Sequence, residues 1–197
     1  MAKKTVKKTK SAKVEESKTT ERDLQIVNIV VSSSLEHTIP LEKMAATLSN
    51  TEYNPEQFPG LVIRIKEPKT SALIFSSGKI VCTGARSIQK VEESIQKIIE
   101  SLQKIGIKIT IKPKITIQNM VAAGSIGMAL NLNSLAMKLP NTEYEPEQFP
   151  GLVYKLIEAK ATFLLFSNGK VVCTGTKSEA EAREALEKLI VILKKVQ

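Results

Sequence analysis

The sequence predicts an α+β fold in which one unit is written twice, giving an antiparallel sheet of about ten strands with four helices. Three observations lead there. Asn50–Gly60 (NTEYNPEQFPG) returns at Asn141–Gly151 (NTEYEPEQFPG) with a single change, Asn54 against Glu145. The same offset of 91 positions joins Asn28 to Asn119, Phe75 to Phe166, and GKIVCTG at Gly78–Gly84 to GKVVCTG at Gly169–Gly175. Short runs rich in Ile, Leu and Val are bounded by Gly, Pro, Ser and Asn, the chemistry of hairpin-linked strands. Each half also carries two stretches with helical apolar spacing. The folded part then divides into about 23–112 and 113–197, behind a tail at 1–22.

The elements follow in order. LQIVNIVVSS (24–33) opens the first half as a strand, and KITIQNMVAAG (114–124) opens the second. LEKMAATL (41–48) has helical spacing, and Pro40 stands in the first turn, where a missing N–H costs little. Its counterpart is NLNSLAMKL (131–139), with Asn131 or Asn133 as cap. The repeated stretch forms a short extended piece and a loop. LVIRIKEP (61–68) and TSALIFSS (70–77) are strands, and Gly78 and Gly169 turn the chain into the next strand. SIQKVEESIQKIIESLQKIG (87–106) closes the half as an amphipathic helix. Ile88, Val91, Ile95, Ile98, Ile99 and Leu102 form its stripe, and Gly106 ends it. SEAEAREALEKLIVILKKV (178–196) is the counterpart.

Net charge is +9, and residues 1–22 hold eight Lys and Arg against three Glu. That tail lacks apolar periodicity and reads as a disordered basic arm, either merely solvated or touching phosphates. No stretch reaches the ~18 apolar residues of a membrane span, and the N-terminus is no secretory signal. Cys82 and Cys173 occupy equivalent places, and the only histidine is His37, so a zinc site is not expected and buried, reduced thiols in an intracellular protein are.

Strand alternation raises the functional question. Leu73 and Phe75 share a side with Val81 and Thr83. Leu164 and Phe166 share one with Val172 and Thr174, and Asn28, Val30, Asn119 and Val121 join them. Four helices cover one face only. The other is apolar in its middle, and no Asp, Glu, His or Cys is expected to point into it. General acid–base chemistry needs such groups, so the chain is not read as an enzyme. The face is either a binding surface or covered by a second sheet or a dimer partner. Taken generically, Phe58 and Phe149, each beside Pro-Gly, read as core anchors.

EPKTSALIFSSGKIVCTGA and YEPEQFPGLVYK, in duplicated order, resemble the TATA-binding protein family in its short archaeal-type form, over about residues 24–197. The resemblance implies a pseudo-twofold saddle: a curved antiparallel sheet whose concave face takes TATA-box double-stranded DNA in the minor groove, with four helices on the convex face. Wedge insertion and kinking are known features of that family. By position the wedges are Phe58 with Phe75 and Phe149 with Phe166, which reverses the core-anchor reading. Val30, Leu73, Val81, Val121, Leu164 and Val172 match the minor-groove floor. Asn28 and Asn119 match its central amides, and Thr83 and Thr174 its flanking hydroxyls. Arg64, Lys79, Lys155 and Lys170 are the implied phosphate contacts. Lys155 departs from the arginine of many relatives, exchanging a bidentate contact for a point contact. Glu145 and Glu147 match the acidic loop that binds transcription factor B, where the first half offers Asn54 and Glu56. The family implies no cofactor, a role in the RNA polymerase preinitiation complex, and a place on the nucleoid, or in the nucleus of a eukaryote. The competing reading is a duplicated protein-interaction or apolar-ligand scaffold that uses the same face.

Overall fold

The computed structural model describes residues 24–196; the basic arm predicted at 1–22 lies outside them. The first half runs β1 (Leu24–Ser34), α1 (Leu41–Thr47), β2 (Thr51–Glu52), β3 (Gly60–Ile65), β4 (Thr70–Phe75), β5 (Lys79–Ala85) and α2 (Ile88–Lys104). The second repeats it as β6 (Thr116–Ser125), α3 (Leu132–Lys138), β7 (Thr142–Glu143), β8 (Leu152–Leu156), β9 (Ala161–Leu165), β10 (Lys170–Thr176) and α4 (Glu179–Val196). A 3-10 turn at Ile157–Ala159 is added before β9.

These ten strands form one curved antiparallel sheet, in the order β2-β3-β4-β5-β1-β6-β10-β9-β8-β7. The two halves meet at β1 and β6, where Asn28 lies opposite Val121 and Val30 opposite Asn119. That reciprocal pairing places a pseudo-dyad between the two strands. Ladder irregularities interrupt β1 between Ile26 and Asn28 and between Val30 and Val31, and such irregularities sharpen local twist.

Burial follows the strand period of two. Ala72 and Ile74 of β4 and Ile80 and Cys82 of β5 are buried, whereas Leu73, Phe75 and Val81 are only half-buried. The buried set meets α1 and α2 in one core; a second core gathers β8–β10 with α3 and α4. Ile26 packs against both. The helices therefore cover one face, and among the described residues no second sheet covers the other. Asn131 caps α3, its Oδ1 accepting from the Ser134 amide at 3.0 Å. Ser87 caps α2 in the same way. Gly106 follows α2 at φ +84°, a left-handed position that suits glycine. Three expectations need correction. Pro40 is the N-cap of α1 and not a first-turn residue. Ile88 is 39% exposed and stays out of the core, lining an open groove with Ile95, Ile99, Ile115 and Ile117. The strand expected over 61–68 stops at Ile65, since residues 66–69 are needed for the turn into β4.

Cys82 and Cys173 are free and buried. Loss of hydration pushes the Cys82 thiol above its usual range and that of Cys173 up to about 11. A native pKa above the unfolded value of about 8.5 means that the associated stability is complete below that value and is lost as pH climbs towards 11. Melting followed by circular dichroism should show midpoints falling across that window, and Cys173→Ala should flatten the fall.

Candidate nucleic-acid interface

The open face is built from alternate residues of every long strand. Register aligns Val62 with Leu73 and Leu73 with Val81 in the first half. In the second, Val153 aligns with Leu164 and Leu164 with Val172. With Val30 and Val121 at the centre these make an apolar band from one end of the sheet to the other. Every floor residue predicted from the sequence falls on this face: Asn28, Val30, Leu73, Val81, Thr83, Asn119, Val121, Leu164, Val172 and Thr174. Val62 and Val153 were not anticipated, although the alternation in GLVIRI carries the signal.

The repeated loop positions an aromatic pair at each end. Amides of Gln57 and Phe58 donate to the Asn54 carbonyl, closing a turn that holds the Phe58 ring outward, 44% exposed. Phe149 is held in the same way from the Glu145 carbonyl and is 43% exposed. Phe58 meets Phe75 edge-to-face with centroids 5.9 Å apart, and Phe149 meets Phe166 at 6.0 Å. The glycine after each Pro is needed for this packing. A Cβ on Gly60 would lie 2.7 Å from the Phe58 ring, and one on Gly151 2.6 Å from Phe149. These rings are not core anchors, since neither core contains them.

Near the dyad, two asparagines have their amide orientation settled by the backbone. The Gly84 N–H donates to Asn28 Oδ1 and the Gly175 N–H to Asn119 Oδ1, each at 2.8 Å. A backbone N–H can only donate, so Oδ1 is assigned without ambiguity and Nδ2 is the donor end of each amide. Thr83 Oγ1 donates to Asn28 Oδ1 at 3.2 Å; Asn119 Nδ2 donates to Thr174 Oγ1 at 2.9 Å. Gly84 and Gly175 adopt φ +100° and +97° to bring those amides round.

Charge lies at the rim. Lys79 and Lys170 are exposed at the starts of β5 and β10. Arg64 pairs with Glu52 at 3.0 Å and Lys155 with Glu143 at 2.7 Å. Glu52 sits across from Val62, and Glu143 across from Val153, so both carboxylates share the open side. This corrects the expectation of a face without acids: two stand at its outermost strands, each matched by a cation. The single change in the repeated loop has a visible effect. Asn54 Oδ1 accepts from the Glu56 amide, whereas the Glu145 and Glu147 side chains are exposed and have no partner among the described residues. No group of three or more His, Cys, Asp or Glu is placed to hold a metal among the described residues.

A doubled half-sheet unit with a shared open apolar face, backbone-fixed amides at its dyad and an aromatic pair at each end defines a class of pseudo-twofold saddle proteins. The chain belongs to the family described as Transcription factor TFIID (or TATA-binding protein, TBP), which matches it twice, over residues 23–105 and 114–196. The TATA-box-binding protein of Pyrococcus horikoshii is 51% identical over 172 residues, covering 87% of this chain and 90% of that one. The protein of that name from Methanocaldococcus jannaschii is 51% identical over 177 residues, covering 90% and 97%. A solved structure, Methanococcus jannaschii TBP, superposes with a TM-score of 0.83 at 50% identity, covering 88% of this chain and 99% of that one.

Proposed function

We propose that this chain is a general transcription initiation factor that binds TATA-box promoter DNA through the minor groove, bends it, and nucleates the preinitiation complex for RNA polymerase. The observation that carries the reading is the open apolar band ending in two matched aromatic pairs, in a chain of this family. An A·T minor groove offers acceptors and no guanine amino group. The aliphatic floor tolerates such a groove and clashes with that amino group. Asn28 and Asn119 present Nδ2 to the acceptors, flanked by Thr83 and Thr174. Phe58 with Phe75, and Phe149 with Phe166, enter base steps from the two ends. Flexible TA steps open at least cost, so deformability becomes selectivity. Lys79 and Lys170 meet phosphates directly, while Arg64 and Lys155 exchange their glutamates for phosphate. Glu145 and Glu147 form the acidic edge for transcription factor B. The chain then works wherever promoter DNA is held, which is the nucleoid for an archaeal-type factor.

The test compares a TATA duplex with a G·C-substituted duplex, reading affinity by anisotropy and bending by end-to-end energy transfer. Tight, bent binding of the first alone is expected, with a slower-migrating species on addition of factor B. Equal affinity for both duplexes, without bending, would leave the protein-interaction scaffold in its place.

A further inference from the structure

Across the offset of 91 the open face repeats itself at Asn28, Val30, Val62, Leu73, Val81 and Thr83. Beside the dyad it does not. The β1–β6 ladder centres on Ile29 opposite Met120, and each strand carries one residue that the ladder skips, Val27 in β1 and Gln118 in β6. An extra residue of this kind re-aims its side chain. Gln118 is exposed, and its Nε2 donates across the seam to Ser32 Oγ at 2.6 Å. Ser32 lies opposite Val81, so the pair stands on the open side. The dyad turns Gln118 and Ser32 into Val27 and Ala123, whose side chains have no hydrogen-bonding group. Val27 lines the same concavity as Asn28 and Thr83, and Ala123 lies opposite Val172, so these two share the open side. The other glutamine of the seam, Gln25, is three positions from Asn28, whereas Gln118 adjoins Asn119.

We propose that Gln118 and Ser32 are specificity-determining residues that accept a G·C pair on one side of the dyad only, and so give the bound duplex a direction. The inference rests on the DNA-binding reading above. In the minor groove a G·C pair differs from an A·T pair by the guanine amino donor. An amide bonded to a hydroxyl keeps both donor and acceptor capacity in reserve, whichever of the two donates. The pair can therefore meet the acceptors of A·T or accept from that amino group. Against Val27 and Ala123 the amino group loses its water and finds no partner, and a buried donor left in that state is costly. A duplex with one off-centre G·C pair then turns so that this pair faces Gln118.

Orientation is read by energy transfer from a dye on the protein to a dye at one end of the duplex. Met137→Cys, at a position 82% exposed on α3, carries the first dye, while Cys82 and Cys173 are buried and stay unlabelled. One duplex has a self-complementary A·T core, which must be bound equally in both directions and calibrates the signal. In the others a single G·C pair replaces A·T at successive positions on one side of the centre. Where that pair meets the seam, one direction should be favoured about five-fold, the size of one net hydrogen bond. Gln118→Val with Ser32→Ala should bring the ratio to unity and weaken binding of that duplex by a similar factor. Val27→Gln with Ala123→Ser should also bring it to unity, with affinity retained, because both sides then accept the pair. Gln25→Thr should leave the ratio intact. Bent binding of the self-complementary duplex secures the reading beneath, and its absence would remove reading and proposal together. With that binding established, the proposal is overturned by equal directions at every position, by a bias that outlives Gln118→Val with Ser32→Ala, or by a bias lost in Gln25→Thr.

Discussion

Replacing Phe149 and Phe166 together by alanine is expected to abolish bending of a TATA duplex and to leave the protein folded. The rings touch each other at 6.0 Å and lie outside both cores, so their loss opens no cavity beneath the helices. Their contribution falls in the complex. Base–aromatic stacking is worth ~1–3 kcal/mol per ring, which puts the loss of affinity for the pair at roughly one to four orders of magnitude. Energy transfer between duplex ends reads the bend, anisotropy the affinity, and thermal melting the fold. A double variant that still bends the duplex removes the wedge assignment; one that no longer melts cooperatively shows that the pair belongs to the core after all.

Gly169→Ala is expected to damage fold and bending together. Gly169 turns at φ +82°, and an added methyl would run into the Met128 backbone carbonyl. Left-handed backbone costs an L-residue about 1–2 kcal/mol, and relief of the clash requires moving one of two chain segments. The same residue organises the corner that carries Phe166: its N–H donates to the Phe166 carbonyl at 2.9 Å, and its own carbonyl accepts from the Ile126 amide at 3.0 Å. Gly106→Ala is the comparison, because φ there is +84° with nothing within 4 Å of the new methyl. Urea titration should show Gly169→Ala losing about 2 kcal/mol or more and Gly106→Ala only the conformational part. Equal losses would mean that the Met128 backbone carries no weight.

Much of this was readable from the chain. Eleven residues repeated at a constant offset exposed the duplication, and strands apolar on both sides exposed a face that four helices could not cover. The alternation around Leu73 and Val81 predicted which side chains share that face, because a period of two leaves no freedom once the strand is placed. The unreadable parts depend on register. The Glu52–Arg64 pair follows from a two-residue strand whose alignment with β3 is set by the intervening loop, which pattern alone does not measure. The Asn28 amide takes its direction from the Gly84 N–H, 56 positions away across an irregular ladder. Ile88 has the right spacing for the stripe, but spacing does not say that the groove it lines with Ile115 and Ile117 stays open.

The seam between β1 and β6 bears on what one half could do alone. It is an antiparallel ladder between two strands that each open a half, and Asn28 faces Val121 just as Asn119 faces Val30. A solitary half would end in a bare hydrogen-bonding edge at that strand, a state that folded proteins seldom leave uncovered. An identical copy fits such an edge through a self-complementary contact. A half taken alone would be expected to pair through this edge with a second copy of itself, and the doubled chain carries that copy covalently, which leaves each half free to differ from the other.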